Sequence, residues 1–312
     1  MNYLIMKINR VVVTGATGMI AVALIKRLIQ DNINVYAVTR PDSRNQSRLP
    51  KSDLINIIEC DLSEISGITK NITTKIDVFY HFGWEASANN RDSDIDAQIL
   101  NIKYTLDAYR AACTLGSEKF IGAGSQAEYG VNVDDLIIDE ESPLNPTSPY
   151  GIAKTAAYKI IHSLSYGRNT GVIWARVFSV YGTNDHEHTL INKLINAQEG
   201  SVIDISSCEQ TWNYLYEEDA GEAFYKLGVS GRVNEVYNIA NGESKQLKLF
   251  VNQVFLLLNR KLILNFGAIN NLVINNLNPS IKKLENDTGF FSKISFQEGI
   301  AKIIENRKCK NE

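Results

Sequence analysis

"RVVVTGATGMIA", residues 10–21, passes from a β-branched apolar run into two closely spaced glycines and then into a helical pattern. The Val-Val-Val run bounded by a turn reads as a buried strand, and Met19–Gln30 reads as a helix. Gly15 permits the tight turn. Gly18 lets backbone approach a pyrophosphate, whose charge is favoured by the N–H groups and dipole of the helix start. Ala21 holds the third small position, where glycine is more usual, and a methyl still permits close helix–strand packing. As the first strand–turn–helix unit of the chain, this stretch implies a dinucleotide site built on Gly15, Thr17, Gly18, Met19 and Ile20.

The pattern then repeats. "INRVVVT", "NVYAVT", "LINIIEC", "KIDVFYHF", "EKFIGAGS" and "GVIWARVFSV" read as strands, with helices at Met19–Gln30, Asp92–Leu115 and Pro149–Ser165 between them. Alternation of this kind with apolar strands predicts an α/β fold with a doubly wound parallel Rossmann sheet. In the middle helix Ile95, Ile99, Ile102, Leu106, Tyr109 and Cys113 follow a three-four spacing, which predicts a sheet-facing stripe. After Tyr181 the regularity falls, and an Asn-rich patch, "FGAINNLVINNLN", appears. The expected division is a Rossmann domain over 1–180, rejoined by 208–242. A smaller, mixed C-terminal substrate lobe takes 181–207 and 243–312.

The 312 residues are 44% hydrophobic, which suffices for a sizeable core. A formal charge of −3 without a long basic block speaks against nucleic-acid and membrane-surface roles. Cys60, Cys113, Cys208 and Cys309 lie far apart with no CxxC pair, as in a reduced cytosolic chain. The apolar run in "MNYLIMKINR" is too short for a signal peptide, and no run approaches the roughly 20 residues of a membrane span. A soluble, cytoplasmic protein is expected.

The end of the second strand selects the dinucleotide. An NAD(H) site places a carboxylate there for the ribose hydroxyl, and an NADP(H) site an arginine for the phosphate. "YAVTRPDSRNQSRL" puts Thr39 in the acid's place, followed by Arg40, Arg44 and Arg48, and guanidinium groups match phosphate oxygens. NADP(H) is favoured over NAD(H), with Arg40 and Arg44 as contacts. Asp61 and Leu62, after the third strand, are placed at the adenine edge. Phe82, Gly83 and Trp84, after the fourth, line the cofactor trough.

"SPYGIAK", residues 148–154, supplies the chemistry. Ser148 suits an N-cap and Pro149 the first helical position, so Tyr150 and Lys154 fall one turn apart on one side. An ammonium near a phenol favours the phenolate, so the pair could exchange a proton with a substrate hydroxyl.

With "TGATGMIA", "GAGSQAEYG" and "SPYGIAK" in this order, the chain resembles the extended short-chain dehydrogenase/reductase family, in its nucleotide-sugar epimerase, dehydratase and ketoreductase branch. The resemblance runs on through "ARVFSVYG", "QTWNYLYEEDAGEAF", "EVYNIANGES" and "SFQEGIAKII". It implies that Tyr150 is the proton donor or acceptor and that Lys154 lowers its pKa and holds the nicotinamide ribose. Ser125 would hydrogen-bond the reacting oxygen. Family dehydratases place an Asp-Glu pair directly after that serine, where this chain has Gln126 and Ala127, which do not titrate. Glu128 follows, aimed away by a strand-like backbone.

The resulting expectation is an NADPH-dependent ketoreductase acting on a nucleotide-activated 4-keto-6-deoxysugar for surface polysaccharide, the alternative being a C4 epimerase with captive NAD. A non-catalytic dinucleotide sensor is opposed by the intact Ser125, Tyr150 and Lys154. Substrate contacts are expected from Trp84, Ser125, Gln126, Ser179 and Trp212, with Lys193 or Arg176 on phosphate. Ser179 and Trp212 stand where many relatives carry Asn and Arg, which leaves the base open. The resemblance also implies a homodimer through the helices from Asp92 and from Pro149.

Other features read more simply. His186 and His188 in "DHEH" have no further ligand pattern near them, so a polar lid loop is expected and no metal site. His81 in its apolar strand reads as a core histidine. "DDLIIDEESPLNP" reads as a solvated loop.

Overall fold

The apolar segments of the first half become strands β1 (Arg10–Thr14), β2 (Asn34–Thr39), β3 (Ile55–Glu59), β4 (Val78–His81), β5 (Lys119–Ser125) and β6 (Gly171–Val177). The computed structural model describes residues 6–87, 90–269 and 275–311; residues 1–5 of the opening segment and 270–274 of the Asn-rich patch lie outside these. β11 (Glu235–Ile239) returns to complete a seven-stranded sheet in the order β11-β6-β5-β4-β1-β2-β3, every pairing parallel. Val11, Val12 and Val13 of β1 are fully buried, because helices cover both faces of a parallel sheet. The strand order reverses between β1 and β4. The crevice beyond their C-terminal ends is therefore the place for a ligand.

On one face α1 (Met19–Gln30) packs against α5 (Glu217–Ser230), joining Leu24, Ile25, Phe224 and Leu227 in one core. On the other lie α2 (Ile95–Thr114) and α3 (Pro149–Ser165), over Phe79, Tyr109, Phe120 and Trp174. The stripe on α2 is a correction. Ile95 and Ile99 are 56% and 59% exposed, and Ile102, Leu106 and Cys113 are half-buried. Only Tyr109 of the expected set is fully buried. The inward face is instead Gln98, Asn101, Thr105, Ala108 and Ala112. The two amides turn inward because the loop after β4 satisfies them. Asn101 exchanges bonds with the backbone of Glu85 (2.8 and 2.9 Å), and Gln98 donates to Ala86 O at 3.1 Å.

Beyond β6 the strands are short. β7 (Val180–Tyr181) pairs with β10 (Leu215–Tyr216), β8 (Val202–Ile205) with β13 (Ile263–Phe266), and β9 (Thr211–Trp212) with β12 (Lys245–Gln246). A separate core of Ile191, Leu194, Phe250, Val254, Phe296 and Ile300 joins α4 (Leu190–Asn196), α6 (Leu247–Leu258) and α8 (Phe296–Asn311). One stretch expected in this lobe belongs with the sheet. Around α7 (Lys282–Thr288), Ile281, Leu284 and Phe290 enter the core shared with α5 and β11.

The acidic segment after β5 is also more than a solvated loop. Ile138 is buried and exchanges backbone bonds with Asn278 and Ser280, and Glu140 accepts from the Asn238 amide at 2.8 Å. Among the described residues, no helix is long and apolar enough to cross a membrane.

Candidate active site

The glycine turn meets the loop after β4 at the crevice. Gly15 has a φ of 63°, and a Cβ there would stand 2.8 Å from the Gly83 nitrogen, so only glycine fits the turn. α1 begins after Gly18 with no side-chain cap, leaving its first N–H groups, around half-buried Met19 and Ile20, for an anion. At the end of β2 the Thr39 hydroxyl is buried without a partner among the described residues. A cradle that a methyl would fill, an uncapped helix start and an orphaned hydroxyl together fit a dinucleotide. Leu62 closes on Gly83, where a Cβ would lie 2.6 Å from its Cδ2. Asp61 caps the turn after β3, accepting from the Ser63 amide at 3.0 Å and hydroxyl at 2.8 Å. Those bonds, the backbone one first, hold its carboxyl below the usual range.

Arg40 and Arg44 are exposed. Arg48 is half-buried, and its Nη1 lies 3.5 Å from Thr17 O, so it is the arginine that reaches the glycine turn. Phe82 turns partly into the core, with its ring 4.6 Å from that of Phe224.

The reacting groups come from β5 and α3. Ser148 caps α3 by accepting from the Gly151 amide at 3.2 Å, and Pro149 follows, as the sequence implies. Tyr150 and Lys154 then face the end of β5. Burial pushes the Tyr150 phenol up, while a hydrogen bond from Ser125 and the Arg91 guanidinium pull it down. Arg91 Cζ lies 5.3 Å from the Tyr150 ring centre. Lys154 is 4% exposed and donates to Ala123 O at 2.7 Å; desolvation pushes it down to about 7. Its Nζ stands 5.8 Å from the Tyr150 ring centre and 3.5 Å from that of Trp84.

A cavity of about 490 Å³ opens beside these groups, lined by Ser125, Gln126, Tyr150, Ser179 and Trp212 of the expected set. Trp84 lies outside that lining, edge-on to Tyr150 and over Lys154. The lining also includes Arg91, Asp185 and Tyr214, which sequence reasoning missed. Asp185 and Tyr214 lie inside the quoted stretches "DHEH" and "QTWNYLYEEDAGEAF", where nothing marked them out, and Arg91 belongs to none. Burial pushes the Asp185 carboxyl up, opposed by the bond it accepts from the His186 amide at 2.8 Å.

Glu128 points away from the cavity, as expected, for a different reason. Gln126–Glu128 form a 3-10 turn rather than strand, which carries the carboxylate into the core. There Oε1 accepts from the Ser125 amide and the Trp174 indole, each at 2.8 Å, and Oε2 from Arg176 Nε at 2.9 Å. Arg176 is thereby occupied behind the site and also donates to the Tyr129 hydroxyl at 2.9 Å. This overturns its assignment to a substrate phosphate. Lys193 is exposed on α4, outside the cavity lining.

His81 sits in the core with Nδ1 2.8 Å from the Thr14 hydroxyl. Burial, then the Lys154 charge, push it down to about 3, so it stays neutral. His186 and His188 stack at 5.4 Å, and among the described residues no three potential ligands cluster.

A seven-stranded Rossmann sheet with Ser125, Tyr150 and Lys154 at its C-terminal edge defines an oxidoreductase-type enzyme. Residues 11–240 match the model of the NAD dependent epimerase/dehydratase family, and the chain belongs to that family. It is 27% identical to human dTDP-D-glucose 4,6-dehydratase, over 95% of this chain and 89% of that protein. Identity to dTDP-4-dehydro-6-deoxyglucose reductase of Escherichia coli is also 27%, over 97% and 98%. A trifunctional UDP-glucose 4,6-dehydratase/UDP-4-keto-6-deoxy-D-glucose 3,5-epimerase/UDP-4-keto-L-rhamnose-reductase of Arabidopsis thaliana is 26% identical over 95% of the chain, which spans 46% of that longer protein. Among solved structures, MoeE5 in complex with UDP-glucuronic acid and NAD superposes with a TM-score of 0.83 at 24% identity, covering 97% of this chain and all of that one. RMD from Pseudomonas aeruginosa complexed with NADPH gives 0.80 at 18%, covering 96% and 98%. The last two establish the fold alone.

Proposed function

We propose that the protein is an NADPH-dependent ketoreductase that converts a nucleotide-activated 4-keto-6-deoxysugar to the 6-deoxysugar. The observation that carries this reading is the pairing of an assembled Ser125–Tyr150–Lys154 group with an amide and a methyl at Gln126 and Ala127. The nearest acid in sequence, Glu128, is locked on Arg176. Proton transfer to a ketone is provided for; the acid–base pair for dehydration is not.

When bound, the dinucleotide supplies the hydride. The glycine turn and start of α1 would hold its pyrophosphate, and Arg48, with Arg40 and Arg44, a 2′-phosphate. Ser125 Oγ positions the substrate carbonyl oxygen, and Tyr150 gives it a proton. Lys154 holds the ribose and supplies positive charge as the phenolate forms. Gln126, Ser179 and Trp212 face the sugar nucleotide across the cavity. The apolar side chains exposed on α2 (Ile95, Ile99) and on α3 (Ile152, Ile160) fit a second copy of the chain, in support of a homodimer.

The test is a panel of dTDP-, UDP- and GDP-linked 4-keto-6-deoxysugars with NADPH, following oxidation at 340 nm and identifying the product. Turnover of one of them to a 6-deoxysugar is expected. Interconversion of 4-epimers without net oxidation would contradict the reading.

A further inference from the structure

We infer that Trp84 is a positioning residue for Lys154: its indole face and the Ala123 carbonyl hold the buried ammonium between them, and Gln98 on α2 holds the indole. Four contacts carry this. Lys154 Nζ lies 3.5 Å from the centre of the Trp84 ring, directly over its face, and 2.7 Å from Ala123 O. The indole N–H donates to Gln98 Oε1 at 2.9 Å, and Gln98 Nε2 donates to Ala86 O, so one amide fixes both the ring and the loop that bears it. Asn101, one turn further along α2, grips the same loop at Glu85. This bracket gives a reason for two buried amides on a face where apolar residues would pack.

A tryptophan in a loop can be simple packing. Here, however, it presents its electron-rich face, rather than an edge, to a cation removed from water, the arrangement in which cation–π attraction is strongest. Of the ionisable groups around Lys154, His81 is neutral and the Tyr150 phenol is uncharged in the bare site. The Glu128 carboxylate favours the ammonium, but it is paired with Arg176 and acts from beyond ion-pair distance. Among the described residues, Ala123 O and the indole are thus the direct partners of the protonated form. The remaining donor capacity of Nζ is left for a ligand.

The sign follows. Removing the indole face removes a partner of the charged form, so the lysine loses its proton at lower pH. A desolvated cation–π contact corresponds to a shift of about one pH unit. At pH 7 the ammonium fraction would fall on the order of fivefold, and at pH 5.5 by only about 1.3-fold.

The experiment titrates Lys154 by NMR in nucleotide-free protein labelled with ¹³C-lysine, its signal identified by its loss in Lys154→Arg. Wild type, Trp84→Leu, Trp84→Phe and Gln98→Leu are compared, followed by NADPH binding across the same pH range. The expected midpoint is near 7 in wild type, about one unit lower in Trp84→Leu, and close to wild type in Trp84→Phe, which keeps an aromatic face. Gln98→Leu should fall between. NADPH affinity of Trp84→Leu should drop at pH 7 and recover towards pH 5.5. Equal midpoints in wild type and Trp84→Leu would overturn the inference. If Trp84→Leu does not fold, a Gln98→Leu midpoint identical to wild type would overturn it. The binding readout rests on the proposed dinucleotide site. A Lys154 midpoint that follows Trp84 in a protein that binds neither NADPH nor NADH would sink that site while sustaining the inference.

Discussion

Each end of β5 buries a lysine nitrogen, and the two are held in different ways. At the N-terminal end Lys119 donates to the carbonyls of Leu227, Gly228 and Gly231, at 3.4, 2.8 and 2.9 Å, closing the end of α5. At the C-terminal end Lys154 has one carbonyl and one ring face. Desolvation pushes both below the usual lysine range, Lys119 to about 8 and Lys154 to about 7. Lys119 is saturated by the fold, so its work is structural. Lys154 keeps donor capacity at the crevice where the sheet order reverses, so its work begins when a ligand arrives.

The largest effects should separate the two ends by kind. Tyr150→Phe removes the proposed proton donor and should lower kcat by about 10²–10⁴. Lys154→Met should lower kcat/KM by about 10² while leaving the melting temperature unchanged or higher, because an apolar side chain replaces a buried charge. Steady-state assays beside thermal melts check both. Lys119→Met should do the reverse. Carbonyls at the end of α5 lose their donor, unfolding free energy falls by about 1–3 kcal/mol in urea titration, and turnover per folded molecule is preserved. Equal losses of activity in both lysine variants would break the comparison.

A pH series sharpens it. Burial lowers the Lys154 pKa, so the functional ammonium is present below about pH 7 and is lost as pH rises through that value. The nucleotide-dependent rate should decline on that limb in wild type. Lys119→Arg, which preserves the cap's charge, should leave the limb in place. The smallest effect belongs to the edge of the site. On the proposed reading, in which the Arg48 guanidinium beside the glycine turn serves the extra phosphate, Arg48→Ala should weaken NADPH severalfold and leave NADH unchanged in equilibrium titrations.

The β1–Gly15–α1 unit, the parallel strands and the Ser148-capped start of α3 were legible because each is local: a strand period, a turn glycine, a cap. What the sequence hid depends on partners distant in the chain. Ile95 and Ile99 have the spacing of a core stripe, and only the loop at Glu85–Ala86 explains why Gln98 and Asn101 face inward in their place. Arg176 looked available for phosphate until Glu128 was folded beneath Ser125 by a single turn. Arg91 carries no motif at all; the fold brings it over Tyr150. Trp84 could be named from its position after β4, but its relation to Lys154 arises from three elements converging, which no periodicity encodes.

The measurement that tests the central claim most directly is the identity of any nucleotide released from the purified protein, read by ultraviolet spectrum and mass, followed by NADPH and NADH titrations. The account predicts protein that arrives without tightly held nucleotide and binds NADPH more tightly than NADH. Protein that arrives loaded with NAD and ignores NADPH would contradict the arginine reading at the end of β2 and the reductase built upon it.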